Sequence, residues 1–82
     1  MKTQQQEEVK KALEGVHDTT TMIKKFVKLL EKHETDGIDD YLIAFKGSYS
    51  DYHYYDKIKE SIVTEIEMLG MDSEHAADIL SV

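Results

Sequence analysis

Between Val9 and Leu30 the non-charged residues of one stripe recur at alternating steps of four and three: Val9, Leu13, Val16, Thr20, Ile23, Val27, Leu30. That spacing lines them up on one side of an α-helix and argues against a strand, whose faces alternate at every second residue. Ala12, Phe26 and Leu29 widen the stripe, and no proline interrupts it. The pattern predicts one long helix over residues 4–34, opened by a capping box between Thr3 and Gln6. Gly15 and the run Asp18-Thr19-Thr20-Thr21 are weak helix formers and mark where that helix would break. A break at Gly15 is not expected to form an apolar Schellman contact, because Lys10 and Lys11 would face Val16. An unbroken helix would be about 45 Å long, against a radius of gyration of about 12 Å for a globule of this length. It would protrude with bare seam, so Val9, Leu13, Val16, Ile23, Val27 and Leu30 read as a self-association surface. A broken helix would allow a compact single chain instead.

The remaining segments read as shorter helices. Residues 38–46 fit a strand with Tyr41, Ile43 and Phe45 on one face, but no second segment offers itself for pairing. As a helix, Ile38, Tyr41, Leu42 and Phe45 fall on one stripe. Asp36 would cap that helix, Asp39 and Asp40 suit the dipole in its first turn, and Lys46 with Gly47 fit its end. A further helix is expected from Ser50 or Asp51 to Leu69, before Gly70, with Tyr55, Ile58, Ile62, Ile66 and Leu69 inward and Val63 beside them. Ser73 would cap a short last helix carrying Ala76, Ala77, Ile79 and Leu80. The fold class is therefore all-α: a single helical domain over residues 1–82, with residues 1–4 frayed. It has one long, breakable N-terminal helix, a short helix, a second long helix and a short C-terminal one.

Charge narrows the partners. The net charge of −7 is unevenly placed: seven lysines face five acids in residues 1–33, and three lysines face twelve acids in residues 34–82. Such a field repels nucleic acid and anionic membranes and attracts basic protein surfaces. Every basic residue is lysine, so the guanidinium fork that grips phosphates and carboxylates is missing. Direct nucleic-acid binding is not expected. The longest apolar runs are far shorter than the roughly 18 residues that span a bilayer. Residues 1–6 lack the apolar stretch of a signal peptide, which makes the cytoplasm the default location. Cysteine is absent, which removes disulfides and thiolate metal sites.

The densest functional signal is Ser48-Tyr49-Ser50-Asp51-Tyr52-His53-Tyr54-Tyr55-Asp56. Tyrosine supplies large, stiff contact area at low entropic cost, which is why it recurs at binding hot spots. Four tyrosines within seven residues exceed what one helix face buries, so some should be displayed to a partner. Tyr49, Tyr52 and Tyr54 are the expected anchors. Asp39, Asp40, Asp51, Asp56, Glu60 and Glu67 would steer the encounter.

Chemistry finds little support. His17, His33, His53 and His75 show no HxxxH or HExxH spacing, and His53 with Asp56 or His75 with Asp78 would give at most half a metal site. Residues 34–40 resemble a calcium loop only briefly, because Lys32 and Ile43 fall where the first aspartate and the bidentate glutamate belong. Serines 48, 50, 61, 73 and 81 lack a nucleophile-elbow context. No cofactor, metal or catalytic residue is expected. The sequence thus reads as a non-enzymatic, acidic protein-binding module. By size and charge it suits an inhibitor or regulator of a basic, nucleic-acid-handling protein, of the phage anti-defence, antitoxin or immunity type. The alternatives are a structural accessory subunit and a helical homo-oligomer that binds a small anionic molecule such as a nucleotide, using tyrosine rings and lysines 24, 25, 28 and 57.

Overall fold

The computed structural model describes residues 4–34 and 37–81. Five helices follow one another there: α1 (Gln4–Ala12), α2 (Thr19–Lys32), α3 (Asp39–Tyr49), α4 (Tyr55–Met68) and α5 (Ser73–Leu80). No strand occurs among the described residues. The radius of gyration is 11.5 Å and the principal extents are 29 × 26 × 22 Å.

The expected long helix is broken. α1 ends at Ala12, and the chain turns at Gly15, whose φ of 76° lies in the left-handed region that glycine enters without a steric penalty. The break uses no Schellman contact. Val16 N–H instead donates to the Leu13 carbonyl at 3.1 Å, and Val16 packs half-buried against the core. Asp18 then caps α2, its carboxylate accepting from Thr21 N–H at 2.8 Å. That cap supplies what the weak helix formers could not, since it occupies an orphan donor at the new helix start. Gln4, expected to fray, is already helical, whereas Thr3 lies outside the described residues.

Residues 38–46 form a helix, and the exposure pattern shows why. Tyr41, Leu42 and Phe45 are buried while Ile43 is 55 % exposed, which a strand burying Tyr41, Ile43 and Phe45 together would not allow. Asp36 lies outside the described residues. Ile38 occupies the cap position without a side-chain bond. α3 continues past Lys46 and Gly47 to Tyr49, because the Tyr49 ring stacks on Phe45 one turn earlier at 4.8 Å. α4 starts at Tyr55, later than Ser50 or Asp51. Residues 50–54 are taken up by successive turns, with Tyr52 N–H on the Tyr49 carbonyl and Tyr55 N–H on the Tyr52 carbonyl. α4 closes at Gly70 (φ 79°), where Met71 N–H reaches back to the Ile66 carbonyl at 3.2 Å in a Schellman arrangement. Asp72, rather than Ser73, caps α5, accepting from His75 N–H at 3.0 Å.

The core is centred on Phe45. Its ring stacks on Phe26 of α2 at 4.4 Å and lies 6.4 Å from Tyr55 of α4. Val9, Leu13, Met22, Leu30, Leu42, Ile58, Ile62, Ile66, Ala76 and Leu80 complete it. α1 packs on α2 and α3, α2 on α4, and α5 on α3 and α4. Among the described residues no polar side chain is fully buried and no helix is long and apolar enough to cross a membrane.

Candidate surface at the α3–α4 corner

The tyrosine-rich segment divides into anchors and display. Tyr55 is 3 % exposed, and its hydroxyl donates to the Leu80 carbonyl at 2.6 Å, tying the start of α4 to the end of α5. Burial, with the neighbouring Asp56 charge second, holds its phenol above the ordinary value. Tyr49 is half-buried between Phe45 and Tyr52, and burial likewise raises its pKa. Tyr52 and Tyr54 are 49 % and 57 % exposed. Each is braced by a neighbouring ring at an edge-on angle: Tyr52 by Tyr49 at 5.1 Å, Tyr54 by His53 at 4.9 Å. Two aromatic faces therefore stand in solvent on a corner fixed by backbone turns.

The acids named from the sequence spread over several faces. Asp51 and Asp56 flank the displayed rings, and both are exposed. Glu60 lies one turn beyond Asp56 on the same face of α4, and Glu67 two turns further. Asp39 and Asp40 sit at the start of α3, remote in sequence from the corner. Asp39 is engaged elsewhere: its carboxylate meets His75 Nε2 at 3.0 Å. That hydrogen bond, followed by the Asp39 charge, raises the His75 pKa above the ordinary histidine value. His75 thus pairs across helices with Asp39, not along its own helix with Asp78.

The residues assigned to self-association lie inside the chain. Val9, Leu13, Val27 and Leu30 are buried, and Val16 and Ile23 pack half-buried on the same core. Lys24, Lys25, Lys28 and Lys57 are exposed. A shallow groove of about 320 Å³ runs between the first turn of α2 and α4, with Thr20 and Ile23 on one side and Tyr54 and Lys57 on the other.

One constellation escaped the sequence reading. Glu8 of α1 accepts from the Tyr41 hydroxyl at 3.2 Å and meets His33 Nε2 at 2.9 Å, while the His33 and Tyr41 rings stack at 4.6 Å. His33 and Tyr41 lie 25 and 33 positions from Glu8, so no local spacing announced them. Among the described residues no three His, Asp or Glu side chains converge as metal ligands. No family model, curated protein or solved structure matches the chain.

Proposed function

We propose that this chain is a non-enzymatic protein-binding module whose α3–α4 corner docks on a basic protein surface. The observation that carries the reading is the pair of half-exposed rings, Tyr52 and Tyr54, held on a braced corner between exposed Asp51 and Asp56. Pre-organised aromatic contact area lowers the ordering cost of binding, and flanking carboxylates speed encounter with a cationic partner. Tyr49 serves as the internal brace and not as an anchor. The partner class is a basic protein that handles nucleic acid, which the module would inhibit by covering its cationic channel, as anti-defence, antitoxin and immunity proteins do. An accessory subunit packing on a larger protein would use the same corner.

The test is affinity capture from a bacterial lysate with wild type and a Tyr52→Ala/Tyr54→Ala variant, followed by titration of the retained protein at rising salt. Retention of a basic protein by wild type, at least tenfold weaker for the variant and falling with salt, supports the proposal. Equal retention by a folded variant removes the tyrosines from the interface. A second reading, binding of a small anionic molecule such as a nucleotide, draws on the groove beside Tyr54 and Lys57. The excess of negative charge opposes it. Calorimetry with a nucleoside triphosphate would separate the two, because only the second reading expects heat.

A further inference from the structure

We infer that α1 is an exchangeable arm: residues 13–18 act as a hinge, and α1 of one copy fills the groove vacated by α1 of a second copy. This rests on the packing of α1 and is independent of the corner proposed to bind a protein partner.

The fit of the occupant follows from identity. In the closed chain α1 brings Val9 (1 % exposed) and its neighbour Leu13 (4 % exposed) onto the core, and it offers the Glu8 carboxylate to Tyr41 and His33. A second copy carries the same arm and the same groove, so each of these contacts re-forms between chains at no loss of complementarity. Separation is mild because α1 has only nine residues and seats on the core through two buried side chains, Val9 within it and Leu13 just beyond. Elements with little buried apolar surface open at low free energy.

The hinge is built to move. Glu14, Gly15, His17 and Asp18 are all exposed, and the hinge is held to the core only by buried Leu13 at its start and half-buried Val16. A Cβ placed on Gly15 would meet nothing within 4 Å, so the turn is held by backbone conformation and not by packing. Straightening it gives up the Val16–Leu13 turn bond and the Asp18 cap on Thr21. In return it continues the helical hydrogen-bond ladder from α1 into α2. The sequence has the register ready: on a straight helix Val9, Leu13 and Val16 fall on the stripe of Ile23, Val27 and Leu30. The closed chain and the exchanged pair are then two arrangements of one set of contacts, separated by concentration and by the hinge.

Gly15→Ala tests this directly. Alanine is disfavoured at the positive φ of the closed turn and favoured over glycine in a helix, which together shift each hinge about 30-fold, and a two-hinge assembly about a thousandfold. Sedimentation of G15A across a wide concentration range should give a two-chain species where wild type and His17→Pro, which blocks a continuous helix, stay at one-chain mass. NMR on a mixture of isotope-labelled and unlabelled G15A should then place α1–α3 contacts between chains. A folded G15A that remains single-chain at millimolar concentration overturns the inference. So does a two-chain species whose α1–α3 contacts stay within one chain. If G15A fails to fold, Gly15→Gln takes its place, since glutamine is likewise disfavoured at positive φ and favoured in a helix, and a folded G15Q that stays single-chain at millimolar concentration is equally decisive.

Discussion

At the scale of single residues, Phe45 and Tyr55 hold the molecule to one arrangement. Phe45 is fully buried, with Phe26, Tyr49 and Tyr55 around its ring. Phe45→Ala should cost about 3–5 kcal/mol, against a total of about 4–12 kcal/mol for a domain of this length. The expected result is a shallow, non-cooperative urea transition for F45A and a cooperative one, displaced to lower urea, for F45L. Tyr55→Phe keeps the ring and deletes the donor to Leu80, stranding a buried carbonyl. It should lower stability by about 1–2 kcal/mol in chemical denaturation. Tyr55 and Tyr49 also set an alkaline limit. Both phenols have native pKa values raised above 10.0, so the native state keeps its protons where the unfolded chain loses them. Stability is full below 10.0 and falls as pH rises through the raised native values. A denaturation series from pH 8 upward, recorded for wild type and Y55F, should show a steeper alkaline loss in wild type.

At the scale of elements, the two ends of the α1–α2 connection depend on carboxylates. Asp18 has its pKa lowered, chiefly by the Thr21 N–H it accepts from. Its contribution is therefore present above the ordinary carboxylate value of 3.8 and disappears as pH falls through the lowered native value. Circular dichroism of α2 content on acid titration should lose this increment in wild type, and Asp18→Ala should lack it at every pH. At the other end, Glu8 ties α1 to Tyr41 and His33. Glu8→Ala should cost about 1 kcal/mol, and hydrogen exchange should accelerate in α1 while α4 and α5 keep wild-type protection. Acceleration spread evenly over all five helices would mean that α1 opens only with the whole domain. That result would also weigh against an exchangeable arm.

At the scale of the whole molecule, charge and shape act together. A net charge of −7 on a body 29 Å in its longest extent leaves an excess of negative charge, carried by residues 34–82. Adding salt should raise the thermal midpoint modestly, because screening relieves self-repulsion in the compact state. A midpoint that falls with salt would mean that specific ion pairs outweigh that repulsion. Under the proposed function the same excess of negative charge would favour a cationic protein surface over nucleic acid, with the exposed Tyr52 and Tyr54 rings as the contact. Small-angle scattering at low concentration should fit the 11.5 Å Cα radius of gyration with a hydration shell, and should grow on concentration only if α1 exchanges.

The residues themselves settled the helical class, because apolar spacing near 3.6 and the absence of a pairable strand leave little else. Residues 38–46 show this well. The helical stripe named Tyr41, Leu42 and Phe45 as buried and left Ile43 out, as found. The end of α4 and the start of α5 were legible to within a residue, because glycine and a capping side chain are local there, whereas α4 starts four residues later than Asp51. The surplus of rings named Tyr49, Tyr52 and Tyr54 for display and Tyr55 for the core; Tyr52 and Tyr54 are exposed and Tyr55 buried, whereas Tyr49 is half-buried on Phe45. Only tertiary structure decided the break at Gly15. A heptad stripe is satisfied equally by a straight helix seeking a partner and by a bent one that packs most of those residues inside its own chain, α1 on α3 and α2 on α4, and local spacing cannot tell the source of the burial. Only tertiary structure assembled Glu8 with His33 and Tyr41, Asp39 with His75, and Tyr55 with Leu80, because each pair joins residues at least 25 positions apart. Periodicity is a property of one element, whereas contacts between elements depend on where the whole chain turns back.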